Sequence, residues 1–306
     1  MSFDGRRLKL TSRAALAVVT AGATFLGHAT SAEGPLSPPV RAVATVNGAQ
    51  AAYEIQGEGH PLVLIHAGIM DLRMWDGQIA QFAQHYKVIR LNLRGFGGGD
   101  LPPDKFSYVE DLHAFLEQLG IHRAYLLGLS MGSMVAIDYT TTYPEQVDGL
   151  ILAGAPLIGS AEVDPAEQQR IGEQFKAVFD AYRQGDMEAA VRNALALPFF
   201  NPAHPSPEVR RRMERMIRAN LAHWIESQPL VTWPEKPAIE RVASIKAPTL
   251  VMVGDRDVKS MLAAADGLTA RIKGAKKIVI AGSGHHVNME APADFDRHVM
   301  EFLAGL

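Results

Sequence analysis

The stretch Gly128-Leu129-Ser130-Met131-Gly132 constrains this chain more than any other. It lies between Ala124-Tyr125-Leu126-Leu127, an apolar run of strand length, and Met131 to Tyr143, which reads as a helix until Pro144. A serine between a strand and a helix demands a very tight turn, and glycines on both sides remove the Cβ atoms that would collide in it. Such a turn lifts the hydroxyl clear of the sheet. It also leaves the Met131 N–H at a helix N-terminus, where it can face an oxyanion. Read alone, the pentapeptide fits a second role equally well, because serine ahead of a helix is a common N-cap. The rest of the chain separates the two.

The formal net charge is -3 over 306 residues with no long basic run, which argues against nucleic acid as a partner. There is no cysteine, so disulfides, thiolate catalysis and Cys-ligated zinc are excluded. An apolar fraction of 47% supports one large α/β domain, or such a core with an insertion. At the start, Arg6-Arg7-Leu8-Lys9 with Arg13 precede an apolar segment, Ala14 to Gly27, too short and too rich in small residues to span a bilayer comfortably. Small residues at Ala29, Ser31 and Ala32 follow, then a proline-containing linker, Gly34 to Pro39. This order predicts an export signal over 1–32, with the arginine pair pointing to the twin-arginine route. A periplasmic or secreted protein without stable membrane insertion after cleavage is expected.

Beyond the linker, Arg41 to Val46 and Ala51 to Ile55 flank Asn47-Gly48, a two-residue hairpin signal. Pro61 to Ile65 and Lys87 to Leu93 suit buried strands, with a helix expected around Asp76 to His85. Tyr108 to Leu119 carries apolar residues at helical spacing and closes at Gly120. After the serine turn comes another apolar strand, Gly149 to Ala153. Buried strands alternating with amphipathic helices predict an α/β fold: a mostly parallel sheet covered by helices on both faces. The pattern changes at Pro156. From there to about Ala238 the apolar residues keep helical spacing, in one stripe through Phe175, Phe179 and Tyr182 and another through Met213, Ile217, Leu221 and Trp224. Between them lies a proline-studded loop with Phe199 and Phe200. Strand and helix order resumes with Thr249 to Val253, Lys277 to Ala281 and a last helix through Phe295, Val299 and Phe302. The expected organisation is a core over 33–155 and 241–306, interrupted by a helical cap over 156–240. Most of the cap's apolar residues are read as plain packing.

A serine nucleophile needs a base, and the base an orienting acid. Thr249 to Val253 runs into Gly254-Asp255-Arg256-Asp257, placing carboxylates at the carboxyl end of a parallel strand, the edge where open α/β sheets hold ligands. The next strand runs into Gly282-Ser283-Gly284-His285-His286 at the same edge. The chain order is thus Ser, Asp, His. These residues, with Leu64-Ile65-His66-Ala67-Gly68, Trp75, Arg94-Gly95-Phe96-Gly97 and Glu290-Ala291-Pro292, make the chain from Pro61 onward resemble the α/β-hydrolase fold superfamily. Its esterase, enol-lactonase and cofactor-free haloperoxidase-like members are the nearest in style. The resemblance implies Ser130 as nucleophile, His285 as general base and Asp257 as the acid, with Asp255 fixing the turn or, as the alternative, serving as the acid itself. It also implies an oxyanion hole from the backbone N–H groups of Gly68 and Met131, and makes His66 a loop brace rather than a catalyst. His285 is preferred to His286 because it follows Gly284 and stands five positions before Glu290.

Three positions depart from the family's pattern: His66-Ala67 replaces His-Gly, Asn92 stands for the usual Asp, and Gly99 for a small polar residue. They weaken assignment to a named subfamily more than they weaken the chemistry. No metal site and no cofactor are expected, since no HExxH stretch is present and the glycines after Arg94 do not follow a dinucleotide pattern. The implied reaction is acyl transfer on a small to medium ester or lactone, with Ile69, Phe199 and Phe200 lining the pocket. Serine at the turn argues against the dehalogenase and epoxide hydrolase relatives, which use Asp there. Perhydrolysis of the haloperoxidase type and C–C bond hydrolysis employ the same triad and stay open, as does a non-enzymatic ligand-binding role.

Overall fold

A computed structural model describes residues 36–306 apart from Pro102, 161–163 and 202–205. The expected export signal over 1–32 lies outside the described residues. Strands β1 (Val40–Val46) and β2 (Ala49–Gln56) form the hairpin, turning at Asn47 and Gly48 with φ of 46° and 81°. Both angles are left-handed, as a two-residue turn between right-twisted strands requires. Six more strands follow: β3 (Pro61–Ile65), β4 (Lys87–Leu91), β5 (Ala124–Leu129), β6 (Val147–Ala153), β7 (Thr249–Gly254) and β8 (Lys276–Ile280). The sheet order is β1-β2-β4-β3-β5-β6-β7-β8, antiparallel through β1, β2 and β4 and parallel from β4 to β8.

The helices are α1 (Ile79–Phe82), α2 (Tyr108–Gln118), α3 (Met131–Thr142), α4 (Pro165–Arg183), α5 (Met187–Leu195), α6 (Pro207–Ser227), α7 (Ala238–Arg241), α8 (Lys259–Arg271), α9 (Val287–Glu290) and α10 (Pro292–Leu303). Period-two alternation sends each strand's residues to opposite faces. Val63 and Ile65 join Leu112, Phe115, Val135 and Leu268 of α2, α3 and α8. Leu62 and Leu64 join Phe295, Val299 and Leu303 of α10. All four β3 residues are fully buried, each such side chain contributing about 1.5–3 kcal/mol, so the central strands are continuous apolar runs. Between β6 and β7 the described residues form helices α4 to α7 and one isolated bridge, Phe106 to Val231.

Two boundaries differ from the sequence-based expectation. The helix expected over 76–85 shrinks to α1, preceded by a tight turn at Leu72–Trp75. Around α1 the amides close three-residue turns instead of helical ones: the Asp76 N–H donates to Arg73 O (3.2 Å), Gln78 N–H to Trp75 O (3.0 Å) and His85 N–H to Phe82 O (3.1 Å), while side chains distant in sequence hold the preceding turn. Arg90 donates to Leu72 O (3.1 Å), Arg212 to Arg73 O (3.2 Å) and Asn288 to Met74 O (2.9 Å). Likewise β4 stops at Leu91, because the Leu93 N–H donates to His66 Nε2 (3.0 Å) instead of to a strand.

In α10, Asp296 is only 3% exposed. Burial pushes its carboxyl up to about 6, with the Gln78 side chain pulling the other way. Its folded pKa lies above the unfolded one, so its contribution is complete below the usual carboxylate range and is lost as pH rises through about 6. Asp296→Asn should therefore stabilise the protein by about 2–3 kcal/mol near pH 8 and change little near pH 4. Thermal melts at the two pH values check this; an equal effect at both would mean the carboxylate's charge is not what costs stability.

Candidate active site

The strand order reverses direction between β3 and β5, so the loops that leave their carboxyl ends diverge and open a crevice. Ser130 stands on one side of it and His66 to Met70 on the other. Ser130 has φ 55° and ψ -113°, a conformation sparsely populated by L-residues and stored here at the turn. The flanking glycines have a steric cause. A Cβ on Gly128 would lie 2.2 Å from Gly132 O, and one on Gly132 would lie 2.2 Å from Ile65 O. The Ser130 N–H donates to Ala153 O (2.9 Å), and Ser133 Oγ donates to Gly128 O (2.7 Å), tying the turn to β6 and to itself. The Ser130 side chain caps no helix amide, so the N-cap alternative has no support in the geometry.

The other edge loops are stitched beside it. Gly154 N–H donates to Met252 O (2.9 Å), Asp255 N–H to Ile280 O (3.0 Å) and Arg256 N–H to Ser283 O (3.0 Å). Gly254 lets the β7 and β8 loops touch, because a Cβ there would meet Ser283 O and Gly284 O at 2.2 Å. Across this contact His285 Nδ1 donates to Asp257 Oδ2 at 2.8 Å, both side chains being buried. Asp257 Oδ1 also accepts the Val258 N–H (2.8 Å), while Asp255 is exposed. With Nδ1 protonated toward the carboxylate, a neutral His285 carries its lone pair on Nε2. Glu290 holds the loop from behind, accepting from the N–H groups of Gly284 (2.8 Å) and His286 (3.0 Å). That explains the spacing from Gly284 to Glu290.

Opposite Ser130, the Met70 N–H closes a turn onto Ala67 O (3.2 Å), and Ile69 within it has φ 64°. A β-branched residue in the left-handed region is strained, and the strain sits in the wall of the cavity that holds Ser130. The Ala67 N–H is taken by Met74 Sδ (3.2 Å), and among the described residues neither the Gly68 nor the Met131 amide has a protein acceptor. His66 is fully buried, donating from Nδ1 to Ala67 O (2.8 Å) and accepting at Nε2 from Leu93. Burial holds its pKa below the usual range, and with both nitrogens engaged it braces the loop. Asn92 keeps its position's bracing function, its Oδ1 accepting the Leu72 N–H (2.8 Å).

A cavity of about 310 Å³ unites Ser130, His285, Gly68, Ile69, Met131, Phe199 and Phe200. All the expected pocket residues therefore meet. The cavity also includes Phe175 and Trp224, which helical spacing alone assigns to packing, and His286, which the sequence gives no reason to place there. His286 is fully buried, donates from Nδ1 to Phe199 O (2.9 Å), and burial with the neighbouring His285 lowers its pKa to about 3. It stays neutral and does not compete for a proton. Phe199 meets the His285 ring edge-on at 4.8 Å, and Phe200 packs on His286 at 5.3 Å. Asn220 ties α6 to the loops after β3 and β4: its Oδ1 accepts the Gly97 N–H (2.8 Å) and its Nδ2 donates to Asp71 Oδ2 (2.8 Å).

A profile of the α/β hydrolase fold matches residues 60–292. The chain belongs to the α/β hydrolase fold family. Among similar proteins, this α/β hydrolase is 27% identical over 265 residues to the 2-hydroxy-6-oxo-6-phenylhexa-2,4-dienoate hydrolase of Comamonas testosteroni, covering 82% of this chain and 90% of that one. It is 24% identical over 265 residues to the pimeloyl-[acyl-carrier protein] methyl ester esterase of Aeromonas hydrophila subsp. hydrophila, covering 81% and 96%. Among solved structures, the enol-lactonase from Burkholderia xenovorans LB400 superposes with a TM-score of 0.72 at 24% identity, over 86% of this chain and all of that one.

Phe199→Ala should lower turnover as well as alter acyl preference, since that ring abuts His285, whereas Phe200→Ala should chiefly cost stability, about 3–5 kcal/mol. Steady-state kinetics over an ester series, with thermal melts, checks both. Unchanged kinetics in Phe199→Ala would remove this loop from the site.

Proposed function

We propose that this α/β hydrolase cleaves carboxylic esters or lactones through an acyl-enzyme on Ser130. The observation that carries the reading is the buried His285–Asp257 pair facing the same cavity as a strained, uncapped Ser130. In the first half-reaction Ser130 Oγ attacks the carbonyl carbon and passes its proton to His285 Nε2. Asp257 stabilises the resulting imidazolium, and the Gly68 and Met131 N–H groups receive the oxyanion. Each such donor is worth roughly 3 kcal/mol of barrier. The intermediate collapses as the leaving alkoxide takes the His285 proton. Water then attacks the acyl-enzyme, His285 again accepting the proton, and the acid departs as the proton returns to Ser130. With a lactone, the alcohol and the acid remain one molecule.

The named activity of the Comamonas relative favours a second reading, cleavage of the carbon–carbon bond beside a ketone by the same residues. A turnover screen across acyl esters, lactones and a hydroxy-oxo-dienoate tests both. Turnover of esters or lactones above the dienoate is expected; turnover of the dienoate alone would replace the first reading by the second, and turnover of none would end both.

A further inference from the structure

The cavity at Ser130 does not stand alone. A second cavity, of about 300 Å³, shares three of its walls: Met134, Pro156 and Trp233. The two are aligned by helix α3. Met131 and Met134 wall the first, and Met134, Ile137 and Asp138 wall the second. Those positions recur at helical spacing on one side of the helix that begins at the nucleophile. The eight residue steps from Ser130 to Asp138 extend about 12 Å along the axis.

The outer chamber is built for an apolar occupant. Its Asp138 and Arg241 side chains form an ion pair, and Arg241 Nε donates to Lys236 O (2.8 Å), so this charge is satisfied in place. Trp233 stands at the junction and is 40% exposed, a large apolar surface left toward solvent. It is nonetheless positioned. The Thr232 N–H donates to Phe106 O (2.7 Å), the Phe106 N–H to Leu230 O (3.0 Å), and the Trp233 ring lies 5.9 Å from Tyr108. Ile158, 46% exposed, adds a second apolar side chain to the outer wall. An exposed Trp and Ile around a chamber that shares walls with the cavity at Ser130 are accounted for when a ligand chain covers them.

We propose that the two chambers form one tunnel past Trp233, and that the substrate carries an elongated apolar arm whose far end lies in the outer chamber. The inference rests on Ser130 as the reacting centre and extends the substrate beyond what the inner cavity holds.

Two readouts test it, one independent of catalysis. For hexanoyl, decanoyl and dodecanoyl p-nitrophenyl esters, kcat/KM should keep rising with length, by roughly fourfold for each methylene that reaches the chamber. Ile158→Glu, at an exposed position, and Ala238→Phe, which fills the chamber, should each lower the dodecanoyl-over-hexanoyl ratio about tenfold or more. In Ser130→Ala, ω-bromododecanoate should quench tryptophan fluorescence, and the quench should vanish with Trp233→Phe and weaken with Ile158→Glu. Quenching that depends on Trp233 in a protein that turns over no ester would keep the tunnel and discard the hydrolase reading. Absence of that quenching, or a length ratio unmoved by both substitutions in an active enzyme, would overturn the tunnel.

Discussion

Ser130→Ala should lower kcat on an activated ester by about 10⁵- to 10⁶-fold, the effect of removing the nucleophile from a unit of three residues. The loss should be chemical rather than structural. Alanine keeps the Cβ that already occupies φ 55°, and no hydrogen bond of the turn uses the Ser130 side chain. Melting temperature and binding of a product acid should therefore stay near wild type. His285→Ala should be nearly as damaging, and the double variant little worse than either single one, because base and nucleophile act together. Additive losses would mean that the two residues serve separate steps.

The second large effect separates the neighbouring carboxylates. Asp257→Asn should reduce kcat by about 10⁴-fold, because an amide at this position can hold His285 in the tautomer that lacks a lone pair on Nε2. Asp257 is buried against His285 Nδ1 and also accepts the Val258 N–H, so one variant perturbs both contacts. Asp255→Asn should leave kcat within a few-fold, since Asp255 is exposed and its backbone N–H, not its carboxylate, ties the loop to Ile280. Rates for the two variants, measured with melts to exclude unfolding, decide the matter. The reverse ranking would exchange the roles.

Much of this arrangement is legible in the sequence because its causes are local. Asn47-Gly48 sets a hairpin, Gly128 and Gly132 bracket a turn, and strand composition reports burial on both faces. The rule that loops at the carboxyl ends of parallel strands converge brings Ser130, the Asp255–Asp257 pair and the His285–His286 pair to one edge, and the resemblance to the α/β hydrolases is what implies Asp257 and His285 among them. What stays hidden depends on contacts between distant residues. The helix expected near Asp76 gives way to three-residue turns, and the turn before it is held by Arg90, Arg212 and Asn288, whose reach no local pattern reveals. Gly254 is required by the carbonyls of a loop almost thirty residues later, and Gly154 lies against the His285 ring. Phe175 and Trp224 keep ordinary helical spacing, so periodicity places them on the inward face without distinguishing core from cavity. His286 is the sharpest case. Its neighbour's pattern singles out His285, yet only the fold shows His286 buried and bonded to Phe199, joining the loop after α5 to the loop after β8.

The central claim is that Ser130 alone among the serines is activated, and a fluorophosphonate tests it most directly. Phosphorus would take the place of the carbonyl carbon, bonding to the serine oxygen as fluoride leaves and His285 accepts the proton. Intact mass should rise by one adduct per chain, mapped by peptide fragmentation to Ser130. The adduct should be absent in Ser130→Ala and strongly slowed in His285→Ala. Ser133, three residues away, is fully buried with its hydroxyl donating to Gly128 O, and should stay unmodified. No adduct on the wild-type chain, or an adduct on any residue other than Ser130, would contradict the account.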